Sequence, residues 1–185
     1  MKSGNGSIRY IAFLRGINVS GQKIIKMEAL AKMFISFGFK NVKTFIQSGN
    51  VIFDSDQADA DSLRVKIEKN LEKKLGFQVD VIVRTLEEIE AMIARNPFKK
   101  FSEDAKISVA FMSGKPQEKV KLPLFSSKKD VQIFEIKNCD AFCVHHLVNG
   151  QWGYPNLLIE KSFGRKSTVR FWSSVNKMVA VAKSV

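Results

Sequence analysis

The sequence predicts an α+β fold of two ferredoxin-like (split β-α-β) plaits, each an antiparallel sheet with helices packed on one face. Two observations support this prediction. Segments of strand and helix character follow one another as β-α-β-β-α-β over residues 1–84, and the order β-α-β-β-α recurs loosely over residues 106–185. Residues 85–105 would supply a linking helix and loop, and the second half would end in a helix in the place of a fourth strand.

The first half contains strand-like apolar runs separated by amphipathic segments. After a tail at Met1 to Ser7, the predicted strands are 8–14, 42–47, 51–53 and 77–83. Apolar residues recur at helical spacing in two intervening segments: Met27, Leu30, Met33, Phe34 and Phe37 in one, and Leu63, Ile67, Leu71 and Leu75 in the other. Gly38 and Gly76 follow these segments and are expected to end the two helices.

A capping box predicts where the linking helix begins. Thr85 and Glu88 stand three residues apart at the start of an apolar helical pattern, and Asn96-Pro97 is expected to end that helix. In the second half the predicted strands are 106–112, 131–136 and 141–146, and the predicted helices are 116–122 and 156–163. The last helical face consists of Trp172, Val175, Met178, Val179 and Ala182.

The formal charge of the 185-residue chain is +12, which predicts attraction to polyanions such as nucleic acid or phosphorylated small molecules. The two cysteines, Cys139 and Cys143, would be too far apart on one strand for a disulfide and are expected to be reduced thiols. No secretory or transmembrane segment is evident, so we expect a cytoplasmic location and no membrane partner. Nothing in the sequence implies a cofactor or a metal.

Polar residues follow the first strand and form the turn between the second and third. Because the first two strands of this topology point the same way, the loop after one and the hairpin after the other should meet at one edge of the sheet. An arginine there, near the amino end of the first helix, favours an anion. The predicted ligand-binding residues are Arg15, Gly16, Asn18, Gln47, Ser48, Gly49 and Asn50, with Arg170 and Lys177 completing the site from the second half.

These residues also have a purely structural interpretation. Gly16 and Gly49 could do no more than supply turn geometry, Asn18 could cap its loop, and Gln47 could pair across the hairpin. The stretch lacks the Gly-Lys-Ser/Thr ending of a phosphate-binding loop and is not a dinucleotide fingerprint. The spacing alone leaves both interpretations open, and it names neither a ligand nor a reaction.

The basic C-terminal third supports an alternative, a nucleic-acid-binding module. No acidic residue follows Glu160, and basic residues are interleaved with aromatic ones there. The residues of this alternative are Lys161, Arg165, Lys166, Arg170 and Trp172, although core packing is the favoured interpretation of Trp172. A third possibility is assembly of the chain with itself or a partner through an exposed edge strand, and the oligomeric state is left open.

The sequence shows no established arrangement of catalytic residues. His145 and His146 are adjacent and would face opposite sides of a strand, and one of them could be a base. Ser48 precedes a glycine in a turn, but no histidine or acid can be assigned to activate it. Whether the protein is an enzyme is therefore left open.

Two blocks of the chain resemble the bacterial family catalogued as domain of unknown function 1697. The blocks are Ile11 to Val19 and Thr44 to Val51, and a C-terminal block with Gly164, Thr168, Arg170, Trp172, Val175 and Lys177 is also similar. Phe171 stands where the family usually has Asn, and Ser174 where it usually has Thr. The resemblance implies two linked ferredoxin-like plaits and no substrate. It also groups six residues as a unit: Arg15, Asn18, Gln47, Ser48, Gly49 and Asn50.

Overall fold

The computed structural model describes residues 6–19 and 21–184, which form two compact units. The first unit runs to Ala91 and includes the residues from Met178 onward, and the second unit is Met92–Lys177. Apart from Gly6 and Ser7, the expected N-terminal tail lies outside the described residues. The division into 1–84, 85–105 and 106–185 stays a prediction.

Four strands and two helices make up most of the first unit. The strands are β1 (Ile8–Leu14), β2 (Lys40–Phe45), β3 (Asn50–Ser55) and β4 (Val81–Thr85). The helices are α1 (Met27–Ser36) and α2 (Ala60–Leu75), and a third helix, α3 (Leu86–Arg95), begins here and continues into the second unit. The prediction of an α+β fold with antiparallel sheets and packed helices is confirmed.

The sheet of the first unit has the order β2-β3-β1-β4 with antiparallel neighbours. This order places β3 between β1 and β2, as the sequence of elements in a split β-α-β unit requires. Alternate residues of β1, namely Tyr10, Ala12 and Leu14, are buried in a core to which α1 contributes Phe34 and α2 contributes Ile67. The helical spacing seen in the sequence therefore marks the faces that the two helices bury.

The helix ends of the first unit follow their sequence signals. The carboxylate of Asp59 accepts hydrogen bonds from the backbone N–H groups of Asp61 and Ser62 at the start of α2, and Gly76 ends that helix with φ 76°. The capping box of α3 is also formed. Thr85 N–H donates to Glu88 Oε2 over 2.7 Å, and Glu88 N–H donates to Thr85 Oγ1 over 3.1 Å.

The second unit contains the remaining strands and α4. The strands are β5 (Lys106–Met112), β6 (Leu124–Phe125), β7 (Val131–Lys137), β8 (Asp140–His145), β9 (Leu147–Val148), β10 (Gln151–Trp152) and β11 (Ser167–Phe171). The helix α4 is Asn156–Phe163, and α5 (Trp172–Lys183) begins in this unit and ends in the first. Five strands form a sheet of order β11-β5-β8-β7-β6, and β9 pairs with β10 separately.

The second unit differs from the sequence prediction most clearly at two places, and the two-residue strands β6, β9 and β10 were also not predicted. A fourth strand, β11, does exist and pairs antiparallel with β5; it was missed because it contains Ser167, Thr168 and Arg170 and therefore lacks an apolar run. The predicted helix at 116–122 is absent. Gln117 N–H donates to Phe163 O over 3.0 Å, Val120 and Leu122 pack on the core, and the proline after Leu122 disfavours helical backbone.

Two apolar clusters stabilise the second unit. One face of its sheet packs on α4 through Ala110, Ile133, Cys143, Ile159 and Phe163. The other cluster is aromatic: Phe98 lies 5.0 Å from Trp172, 5.5 Å from Phe134 and 5.8 Å from Phe142, measured between ring centroids. Cys139 and Cys143 are not joined in a disulfide. None of the helices in the described part of the chain has the length and apolar character needed to cross a bilayer.

A charged pair holds the end of α5 against the sheet of the first unit. Arg9 Nε and Nη2 donate to the two carboxylate oxygens of Asp54 over 2.7 and 2.8 Å, and Arg9 Nη1 donates to Ala182 O. Asn41 Nδ2 also donates to Asp54. The hydrogen bonds from Arg9 are the main cause that lowers the pKa of Asp54 below its ordinary value, against the opposing effect of burial.

We predict that Asp54→Asn lowers the free energy of unfolding at pH 7 by roughly 2 kcal/mol, because the hydrogen bonds it weakens are charge-assisted. The pKa of Asp54 is lowered in the folded state, so its contribution is present above the ordinary carboxyl pKa of 3.8 and is lost as the pH falls through the folded-state value. Urea denaturation at a series of pH values measures this effect.

Asp56→Asn is the matched control for this prediction. Its partner is Lys40, and the side chains of Lys40 and Asp56 are mostly exposed, at 66% and 59%, so the loss should be below about 1 kcal/mol. Equal losses in the two variants would contradict the role given to the Arg9–Asp54 pair.

Candidate functional site

The loop after β1 is folded back on itself by backbone hydrogen bonds. Asn18 N–H donates to Lys23 O over 3.2 Å, and Gln22 N–H donates to Val19 O over 2.9 Å. Gly16 and Asn18 both have positive φ, at 67° and 53°, a region that glycine and asparagine enter at the lowest cost. The two residue types therefore suit the conformation that the loop requires.

The turn between β2 and β3 contains four residues, from Ile46 to Gly49, rather than the predicted two. It ends at Asn50, whose buried side chain donates from Nδ2 to Phe45 O over 2.9 Å and to Ser48 Oγ over 3.0 Å. Ile46 has φ 49°, which is unusual for a β-branched residue. Its side chain is 47% exposed, so packing of that side chain does not explain the conformation.

The side chain of Asn18 joins the loop to the turn. Its Nδ2 donates to Ile25 O over 3.0 Å and to Gln47 O over 2.9 Å, and its Oδ1 accepts a hydrogen bond from Ile25 N–H over 2.7 Å. We call residues 15–19, 21–25 and 46–49 the rim. The two stretches that the sequence analysis expected to meet are therefore in contact through one carboxamide group.

Gly49 lies against the first strand and the start of the loop. Leu14 N–H donates to Gly49 O over 2.8 Å. A Cβ atom at position 49 would lie 2.6 Å from Ile17 Cδ1 and 3.0 Å from Leu14 Cβ, and φ is 76°. Both the backbone conformation and the close approach require glycine at this position.

Arg15 has a carboxylate neighbour beside the rim. Its Nη1 lies 3.3 Å from Asp80 Oδ2, and the two side chains are 32% and 35% exposed. Its backbone N–H donates to Asp80 O over 2.9 Å. Ion pairs with this exposure contribute at most about 1 kcal/mol, so an anionic ligand could compete with Asp80 for the guanidinium.

The structure thus brings together the predicted residues of the first half. Asn18 and Gly49 have structural contacts that account for their identity, in line with the structural interpretation. Asn50 also has such contacts, whereas Gln47 is exposed. Arg170 and Lys177 lie in the second unit, and their participation in this site stays a prediction. Arg170 is buried, its Nη1 donates to Thr168 Oγ1 over 2.8 Å, and burial lowers its pKa to about 10.

The residues proposed for nucleic-acid binding occupy different environments in the second unit. Lys161 and Lys166 are exposed, and Arg165 Nε donates to Lys115 O over 2.6 Å. Trp172 packs against Phe98, in agreement with the core packing favoured for it. Their binding of nucleic acid stays a prediction.

A buried pair, Ser108 and His145, was not recognised in the sequence. Nδ1 of His145 lies 2.8 Å from Gly153 O, and because a carbonyl oxygen can only accept, this nitrogen is the donor. Nε2 of His145 then accepts from the hydroxyl of Ser108 over 2.7 Å. The two residues stand 37 positions apart, and the antiparallel pairing of β5 with β8 brings them together.

The geometry of this pair is that of a nucleophile and its base, but its burial indicates a positioning role. Ser108 is fully buried and His145 is 4% exposed. Burial is the main cause that lowers the pKa of His145, with a further contribution from the charge of Lys106, against the raising effect of the Gly153 carbonyl. The neutral ring therefore holds Gly153, and the hairpin that precedes it, on the sheet.

Comparison with known proteins identifies a family and a fold. A family model described as "Protein of unknown function (DUF1697)" matches residues 8–142, which confirms the resemblance of the first two blocks; the C-terminal block lies beyond the match. A solved structure of a conserved bacterial protein from Streptococcus pneumoniae is similar, with a TM-score of 0.70 and 20% identity over 96% of this chain and 99% of that one. None of the curated proteins matches this chain.

We predict that Gly49→Ala destabilises the protein by roughly 2 kcal/mol more than Gly16→Ala, as expected for overpacking. Both positions have positive φ, so both variants incur the same kind of backbone cost, but no atom lies within 4 Å of a Cβ at position 16. Thermal denaturation of the two variants measures the difference. Equal stabilities would show that Gly49 does not pack against Ile17 and Leu14.

We predict that His145 titrates below the ordinary histidine pKa of 6.5. The chain has two histidines, so His146→Gln leaves His145 as the one to be followed by NMR. Because the unfolded chain takes up this proton first, the free energy of unfolding should decrease as the pH falls through about 6.5. A midpoint at or above 6.5 would contradict the buried neutral ring.

Proposed function

This chain belongs to the DUF1697 family of proteins of unknown function, and from that premise we propose that its rim binds a phosphorylated or nucleotide-like anion. The observation that carries the proposal is the contact of Asn18 with both Ile25 O and Gln47 O. This contact holds two loops from different parts of the chain in a defined arrangement. A ligand that bridges them would not have to order them first.

Positive charge at the rim supports an anionic ligand. Arg15 can present several N–H donors to a phosphate, even though Asp80 competes with it. Lys23 Nζ donates to Gln78 O over 2.9 Å and lies 5.3 Å from the centroid of the Phe77 ring, so its charge is held near the loop. Lys26 precedes α1, and its side chain does not cap the helix. The amino end of α1 therefore favours a negative charge through the helix dipole.

Exposed apolar side chains of the rim favour a nucleotide-like ligand over a bare phosphate. Val19, Ile24 and Ile46 are 58%, 72% and 47% exposed. Ile24 and Ile46 directly precede the two residues whose carbonyl oxygens bond to Asn18. A planar base could cover these side chains while its phosphate reached Arg15, which would remove apolar surface from water and satisfy the charge together.

We predict that Arg15→Ala weakens the binding of a nucleoside diphosphate at least tenfold, because a charge-assisted hydrogen bond contributes about 1.5–3 kcal/mol. Asp80→Asn should tighten the same binding a few-fold, because it removes the competing carboxylate. Titration calorimetry at low salt measures both effects, with inorganic phosphate, a sugar phosphate and the unphosphorylated nucleoside as comparison ligands.

Arg64→Ala is the control for Arg15→Ala, since Arg64 also belongs to the first unit, also pairs with a carboxylate and is likewise 32% exposed. It should leave binding unchanged. Equal losses of affinity in the two arginine variants would show that only the net charge of the protein matters, and would overturn the proposal. Absence of binding by all of the phosphorylated ligands would also overturn it. Release of inorganic phosphate from the nucleoside diphosphate during the titration would show that the protein turns the ligand over as well as binding it.

A further inference from the structure

The second unit carries most of the excess positive charge. Residues 92–177 contain 15 Lys and Arg residues against 7 Asp and Glu residues, hence +8 of the total formal charge of +12. Charge of this density attracts polyanions regardless of their sequence. It does not distinguish one polyanion from another, so the side chains beside the charge must do so.

Two exposed aromatic side chains lie on either side of Gly153. Trp152 is 39% exposed and Tyr154 is 68% exposed. The position between them is closely packed, because a Cβ on Gly153 would lie 2.5 Å from Asp130 Cγ and 2.6 Å from Val131 Cγ2. The hydrogen bond from His145 to Gly153 O further fixes this segment. The two rings are therefore presented from an anchored backbone.

A lysine is positioned against the same aromatic surface. Lys106 Nζ lies 4.1 Å from the ring centroid of Trp152 and 5.3 Å from that of Phe171. Such a cation–π contact holds the ammonium group over one face of the Trp152 ring, so a base would stack on the opposite face. A base stacked on Trp152 would thus have a positive charge within reach of its phosphate.

From this arrangement we infer that the second unit binds single-stranded nucleic acid, with Trp152 and Tyr154 as stacking residues and Lys106 as a phosphate contact. Sequence-tolerant binding of single strands combines these two features, stacking on aromatic rings and charge along the backbone. A duplex keeps its base faces stacked and would use the charge alone. In this proposal Trp152, and not Trp172, stacks with the bases, because Trp172 packs on Phe98.

This inference is independent of the rim, and tryptophan fluorescence tests it, because the chain has two tryptophans. An oligothymidylate of about 12 nucleotides, within the usual site size, is added to the full chain at low salt. The Trp172→Phe variant, which reports on Trp152, should show quenching, and the Trp152→Phe variant should show almost none. Quenching of both variants alike, or of neither, would overturn the inference.

Affinity for the labelled oligonucleotide, measured by anisotropy, provides a second readout. Trp152→Ala should weaken binding roughly tenfold, whereas Phe125→Ala, which removes a 46% exposed aromatic ring from β6, should not. Heparin and a duplex of the same length serve as polyanion comparisons. Their binding should not change with Trp152→Ala, because neither offers unstacked bases. If the affinity for the single strand is as insensitive to Trp152→Ala as to Phe125→Ala, the attraction is electrostatic alone and the stacking role is wrong.

Discussion

The geometry of the first unit's rim depends on one carboxamide group. Asn18 donates to two carbonyl oxygens, one in its own loop and one in the turn between β2 and β3, and its oxygen accepts from Ile25 N–H. An aspartate of the same shape could accept but could not donate, and a leucine could do neither. The loop and the turn are distant in the chain, so no local backbone preference could hold them in this arrangement.

The second unit uses a buried polar side chain in a similar way. His145 donates to Gly153 O and accepts from Ser108, so a ring on the sheet anchors the segment that carries Trp152 and Tyr154. In both units a polar side chain, partly buried in Asn18 and buried in His145, satisfies a loop carbonyl and thereby leaves neighbouring side chains exposed in a fixed place. Loops anchored on a rigid sheet are where binding residues are commonly found.

The sequence predicted those elements whose ends carry a clear chemical signal. The α2 helix has an aspartate cap and a terminal glycine, α3 has a capping box, and β1 contains an apolar run from Tyr10 to Leu14. The strand β11 could not be predicted, because its residues include Ser167, Thr168 and Arg170 and are buried by long-range pairing with β5. The same limit applies to Ser108 and His145, whose proximity arises from strand register.

For the candidate site, the sequence predicted that the loop and the turn would meet, since strand direction alone implies it. It could not predict that Asn18 would make the contact, nor that Asp80 would lie beside Arg15, because both depend on the path of the loops. The sequence likewise could not predict that Val19, Ile24 and Ile46 are exposed. Apolar residues are expected in the interior, and only the fold shows which of them remain in contact with water.

The most direct test of the account is an NMR measurement of the Asn18 side-chain amide protons. We predict nuclear Overhauser contacts from these protons both to residues 24–26 and to residues 46–48, because Nδ2 lies 3.0 Å from Ile25 O and 2.9 Å from Gln47 O. Contacts confined to the loop that contains Asn18 would contradict the account, since the carboxamide group would then not join the loop to the turn.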